Sequence, residues 1–220
     1  MPHPESQHGE ARVYYSNEFL NRLRKWIEKH VVPAMPLAQA PRRTDPPAKR
    51  LELIFPRLFL APASSEALCA TVERAVPFAT AAQHLAKPQV AALKKALGGG
   101  REFRCAAIGG EDEDIFDRMR TDDCVLLREN VSGEFRWFGV VVVKLKSETL
   151  AKALWGVEPH KLIVVLRDVW PVYARREQLM SELGFNPAAR LQGVWRVPFW
   201  KLGYALERHG SLERMFQACS

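Results

Sequence analysis

Residues 134–155 read EFRWFGVVVVKLKSETLAKALW, and the organisation of the chain turns on this stretch. Phe135 to Leu145 is mixed in polarity at first and then apolar through Val140–Val143. Such a run suits a strand passing into an interior covered on both faces, as in a closed barrel. Ser147 is placed to cap a short helix, ETLAKAL, which stops at Trp155-Gly156. A second apolar strand, Leu162–Val169, follows and is expected to end at Trp170-Pro171. The region Phe103–Val172 is therefore the expected structural centre, and the Trp155 corner is expected to border a pocket.

Outward from this block the same kind of pattern continues. Phe103–Ile108 (FRCAAI) is an expected strand ending in Gly109-Gly110, where a backbone can turn sharply or approach a ligand closely. The acidic run Glu111–Asp114 leads into IFDRM, and acids at that position suit a helix N-terminus. Cys124–Leu127 is an expected strand, with Asn130–Gly133 as a hairpin turn by composition. Downstream, Ala174–Leu183 is an expected helix stopped by Gly184. Leu191–Val197 is expected to return toward the sheet, and a C-terminal helix is broken near Gly210.

Residues 1–100 differ in character and are expected to form a basic, mainly helical N-terminal extension, leaving residues 101–220 as the domain proper. Phe19, Leu23, Ile27 and Val31 mark an amphipathic helix. Residues 33–50 carry five prolines and four basic residues, a linker or surface loop. Leu51–Phe55 is a strand candidate. Ser64-Ser65-Glu66 opens a helix with Leu68, Val72 and Ala75 on one face, and Pro88 and Gly98–Gly100 bracket another. The glycine triplet lacks the spacing of a phosphate-binding loop and reads as a helix stop and hinge.

The 220 residues carry a net charge of +7. Residues 1–100 hold 14 Lys+Arg against 8 Asp+Glu, and residues 101–220 hold 18 against 17. A basic balance favours a polyanionic partner, because each phosphate contact releases counterions. No apolar run approaches the roughly 20 residues of a membrane helix, and no secretory signal pattern opens the chain. The expected location is cytoplasmic, with no membrane partner. Cys69, Cys105, Cys124 and Cys219 are far apart, which suits reduced thiols and neither a disulfide framework nor a zinc site.

Catalytic equipment is missing from the pattern. The lysines of Val143-Lys144-Leu145-Lys146 have no acid two positions before them, as a restriction-type nuclease site would require. The six histidines are scattered, and no nucleophile elbow, dinucleotide fingerprint or phosphate loop occurs. No catalytic residue, metal site or cofactor is expected, and the chain is not expected to be an enzyme. Tryptophans near turns are abundant instead: Trp137, Trp155, Trp170, Trp195 and Trp200. Such rings can stack on a base or pack the core, and at most two or three are expected at a site.

The order FRCAAIGG, helix, DDCVLLREN, FRWFGVVVVKLKSETLAKALWG, HKLIVVLRDVWPV resembles the EVE/YTH-like branch of the PUA superfamily. Within it the pattern is most similar to the N-terminal modified-DNA-binding domains of McrB-type restriction proteins. The resemblance covers residues 101–200, and Phe185-Asn186-Pro187 with Leu191-Gln192-Gly193-Val194 is similar to their Gly-Phe-x-Pro and Phe-Gln-Gly-Phe tail. It implies an α+β fold, a curved mixed PUA-like β-barrel flanked by helices, holding a flipped, methylated base in an aromatic pocket.

By position, the implied base-binding residues are Trp155, Ile108, Gly109 and Gly110, with Phe116 as the nearest aromatic after the first strand. Trp137 and Asp168 are further candidates, and Arg128, Arg136, Arg175 and Arg176 are candidates to hold phosphates. The implied partner is DNA carrying a modified base, with cleavage left to a nuclease or NTPase partner or to a further domain of a longer chain. An RNA-binding PUA-like protein, and a protein-interaction module with a vestigial pocket, are the alternatives.

Overall fold

A computed structural model describes residues 57–156 and 161–220, all within one compact unit, Phe55–Ser220. The amphipathic helix, the proline-rich segment and the Leu51–Phe55 strand expected from the sequence lie outside the described residues. Seven strands form one mixed sheet: β1 (Leu58–Ala63), β2 (Val76–Pro77), β3 (Glu102–Ile108), β4 (Cys124–Glu129), β5 (Phe135–Lys146), β6 (Leu162–Ala174) and β7 (Trp195–Arg196). Their order is β2-β3-β6-β5-β4-β1-β7. The helices are α1 (Ser65–Leu68), continuing into a π-helical segment Cys69–Glu73, α2 (Phe78–His84), α3 (Lys87–Ala96), α4 (Glu113–Arg118), α5 (Glu148–Trp155), α6 (Arg176–Glu182), α7 (Phe199–His209) and α8 (Leu212–Ala218).

The long β5–β6 ladder is the spine. Its apolar runs have a direct cause: Leu162, Val164 and Leu166 enter one core, while Ile163 and Val165 enter a second core on the other face. A strand buried on both faces needs a continuous apolar sequence. Three register shifts interrupt this ladder, and another lies between Leu127 and Arg128 in the β4–β5 pair. Each such irregularity bends a strand and increases its twist. At the centre, a side chain on Gly139 would meet Leu166 at 3.1 Å, so the two strands approach where only glycine fits without a shift.

Two expectations are corrected. Pro171 does not end β6, which runs on to Ala174. The β3 ladder covers only Leu162–Leu166 of β6, so Pro171 lies where β6 has become an edge strand, a place where proline is tolerated. Residues 58–96 are not an appendage either. β1 lies inside the sheet, parallel to β4 from Leu58↔Cys124 to Ala63↔Glu129 and antiparallel to β7. Its Phe59 and Ala61, with Leu68 and Val72 from the following helical segment, belong to the main core.

The sheet curls without closing. β1 and β3 stand four places apart in the ladder, yet their Cα atoms come within 8 Å. No strand pairing joins them, and the expected closed barrel is an open curled sheet among the described residues. The helical segment 65–73 packs against β3 at this gap.

A buried ion pair ties β1 to the start of β4. Arg57 Nε donates to Asp123 Oδ1 at 2.9 Å, and its Nη2 donates to Asp123 Oδ2 and to the Arg118 carbonyl. The Arg120 N–H completes the carboxylate's partners at 2.6 Å. Both side chains are almost fully buried, so removing one strands the other. Asp123→Ala is expected to cost about 3–5 kcal/mol, read as a lower urea midpoint. An unchanged midpoint would mean that β1 is held by its ladder and core contacts alone.

Candidate nucleobase cavity and arginine cleft

The gap in the curled sheet opens into a cavity of about 710 Å³. This is within the 300–1,000 Å³ range of small-molecule and cofactor sites. Pro62 and Ala63 end β1 on one side, and Ala106, Ala107 and Gly109 end β3 on another. The segment from Ser64 to Val72 forms a third wall, Asn130 comes from the β4–β5 turn, and Leu154 and Trp155 come from the end of α5. Small residues line the strand ends, so the room exists because side chains are missing there.

Trp155 is placed by four features. The Ser147 hydroxyl caps α5 by accepting from Leu150 N at 3.1 Å. Gly156 ends the helix at φ 86°. One side of the ring packs against the second core, and the indole Nε1 donates to Thr71 Oγ1 at 3.3 Å. Thr71 is buried in the π-helical segment, and its hydroxyl lies 2.7 Å from the Cys105 carbonyl of β3. One threonine therefore covers part of the free edge of β3 and fixes the ring at the cavity wall.

A smaller cleft of about 330 Å³ lies beside the first, lined by Asn130–Glu134 and by Arg175, Arg176 and Glu177. Asn130 lines both. The turn is braced from below: Asn130 N donates to the Ala63 carbonyl at 2.9 Å, and the Glu129 carboxylate accepts from Ser65 and Ser132. Those hydroxyls lead in holding the Glu129 carboxyl below its ordinary range. Val131 is 88% exposed at the tip. Arg136 pairs with Glu129 and Glu134 and lies over the Tyr173 ring. Burial first, and the nearby Arg176 charge second, lower the affinity of Arg128 for its proton. Arg175 is exposed, with no carboxylate partner among the described residues.

The chain superposes on the N-terminal domain of Thermococcus gammatolerans McrB bound to m5C DNA, with a TM-score of 0.53 and 11% identity. The match covers 69% of this chain and 96% of that one. The fold is similar to that of a McrB N-terminal domain. No family model matches the sequence, and no curated protein does. At 11% identity the likeness to the McrB domain is one of architecture, so the site has to be read from this chain's own residues.

Of the residues expected at a base pocket, Trp155 and Gly109 meet at the cavity. Ile108 and Phe116 do not line it: both are 1% exposed and belong to the main core. Phe116 lies beneath the Lys144 and Lys146 ammonium groups. Gly110 is exposed just beyond the lining. Trp137 packs on the main core, opposite Leu127 and Pro171. Asp168 sits at φ 49° and pairs with Arg167. Among the other tryptophans, Trp170 packs with Phe138 and Phe216, and Trp195 meets Phe185 edge-on.

The sequence pattern passed over Glu111, Asn130 and Thr71. Glu111 reads as one acid of a helix start and Asn130 as a turn former, and a lone threonine in a helix carries no signal. No group of three side chains suited to a metal ion occurs among the described residues, nor does a helix long and apolar enough to cross a membrane. Thr71→Val keeps the shape but removes the acceptor for the Trp155 N–H. It is expected to lower stability by about 1–3 kcal/mol and to shift the Trp155 indole N–H resonance, identified by its loss in Trp155→Phe. An unmoved resonance would show that Thr71 does not hold the ring.

Proposed function

We propose that this chain is a non-catalytic DNA-binding module that receives a modified, methylated base flipped out of a duplex. On this reading its fold is EVE/PUA-like, and it is the specificity part of a modification-dependent restriction system. The observation that carries the proposal is the sharing of Asn130 between a cavity edged by Trp155 and a cleft edged by Arg175 and Arg176. A nucleotide has two parts with opposite requirements: a flat, mostly apolar base and an anionic phosphate. The two concavities meet those requirements side by side. The similarity of fold to a McrB domain solved with m5C DNA supports the same reading.

The energetics are consistent. Extruding a base costs a few kcal/mol, and stacking on an aromatic ring returns roughly 1–3 kcal/mol. A buried methyl group adds about 0.8 kcal/mol, enough for a several-fold preference for the marked base. Phosphate contacts supply affinity without sequence information, and the surplus of basic residues in the first hundred residues is available for more of them. Cleavage belongs to a nuclease or NTPase partner or to a further domain of a longer chain.

The chain is expected to bind a duplex carrying one methylated base several-fold more tightly than the same duplex without it, by fluorescence anisotropy. Trp155→Ala should abolish that difference and leave weak, salt-sensitive binding in place. Equal affinity for both duplexes, with preference for single-stranded RNA, would replace this function by an RNA-binding one. Arg175→Gln should weaken binding to marked and unmarked duplexes alike. It should also lower the slope of log K against log salt by about 0.9, and an unchanged slope would remove Arg175 from the phosphate contacts.

A further inference from the structure

The acceptor that reads the base is the Glu111 carboxylate, we infer, and it selects bases with an exocyclic amino group over bases with a carbonyl at the same place. This rests on the proposed base-binding role of the cavity. The cavity lining contains two carboxylates, Glu66 and Glu111, and no lysine, arginine or histidine. Glu66 lies in the first turn of α1, where the helix N-terminus suits an acid. Glu111 lies just past the end of β3, and its carboxylate sits directly over Gly109: a Cβ built there would fall 2.5 Å from Oε1 and 2.7 Å from Oε2. The bare glycine makes the space in which the carboxylate rests at the wall.

Several acids nearby have protein partners, whereas Asp114 and Glu66, like Glu111, have none among the described residues. Asp112 Oδ2 accepts from Val194 N at 2.8 Å. Glu113 accepts from Lys146 and pairs with Lys161, Asp117 pairs with Lys146, and Glu129 accepts from two serines. Glu111 has no hydrogen bond or ion pair among the described residues. Glu111 is exposed and water-solvated in the free protein; an ionised carboxylate is acceptor-only, so a ligand that displaces that water must bring N–H or O–H donors. The N4 amine of cytosine and the N6 amine of adenine are such donors, and pairing of Glu with the cytosine N4 amine is a recurrent base contact. Thymine presents O4 there, acceptor against acceptor.

The contrast is testable with duplexes that differ at one base. 5-Methylcytosine and thymine, each opposite guanine, share the methyl group and differ by amine against carbonyl at C4, with N3 an acceptor in the first and an N–H donor in the second. The thymine·guanine mismatch opens more easily, so a cavity that reads only shape and methyl would bind it at least as well. N6-methyladenine and 6-methoxypurine, each opposite thymine, differ by amine against ether with N1 an acceptor in both, so this pair isolates the amine. In whichever pair the full chain binds, the amine-bearing member is expected to bind about tenfold more tightly. Glu111→Gln, able to present either an oxygen or an amide N–H, should collapse that ratio toward one. Gly109→Ala, compatible with the Gly109 backbone at φ −58°, should do the same by displacing the carboxylate. A carbonyl- or ether-bearing member bound as tightly as its amine partner, or a ratio unchanged in Glu111→Gln, would overturn the inference with base reading intact. Equal affinity for all four duplexes and an unmodified one would overturn base reading itself.

Discussion

The free edge of β3 is the constraint on which the site depends. A strand edge presents unpaired backbone groups that must be covered or they attract another strand. β2 pairs with β3 only at Phe103 and Glu102, and the curled sheet brings β1 near without bonding to it. Thr71 takes the Cys105 carbonyl in place of a neighbouring strand, and Leu68 and Val72 fill the space beneath. Had the seam zipped shut, the ends of β1 and β3 would have lain side by side, with no cavity between them. The same threonine then anchors Trp155, so edge protection and placement of the aromatic wall are one interaction.

The strands and helices from Phe103 onward were legible because each announces itself locally. Ser147 caps, Gly156, Gly184 and Gly210 stop, and the four valines of β5 cannot tolerate a polar face. β1 was not legible, because LFLAPA is short, bounded by prolines and parallel to a strand far along the chain. Nothing within six residues reveals a partner at that separation. The consequence reaches the site, since residues 58–72 supply about half of the cavity wall. Aromatics were a poor guide for a related reason. Phe116 and Trp137 obey the ordinary preference of large rings for interiors, and only Trp155 sits where a helix end meets the seam.

Charge is sorted over a short distance. The cavity carries carboxylates and no cation, whereas the neighbouring cleft carries two arginines beside Glu134 and Glu177, with Arg176 paired to Glu177. A phosphate is repelled from the first, and in the second Arg175 is a cation without a carboxylate partner among the described residues, which favours one orientation of an entering nucleotide. Two of the four arginines near the cleft are also structural. Arg128 donates to the Leu191 carbonyl and Arg136 braces the turn acids, which keeps the cationic rim in place before any ligand arrives.

Asn130 stands on the boundary between the two concavities, its backbone fastened to the end of β1. For a ligand that spans both, the first contact turns the second into an intramolecular event. The relevant quantity is then the effective concentration of one part of the ligand at the other site, set by a rigid span a single residue wide. Two contacts that are each weak combine multiplicatively under that condition. On the proposed reading, a modest cavity and a modest cleft thereby act together as a bivalent receptor for a single nucleotide.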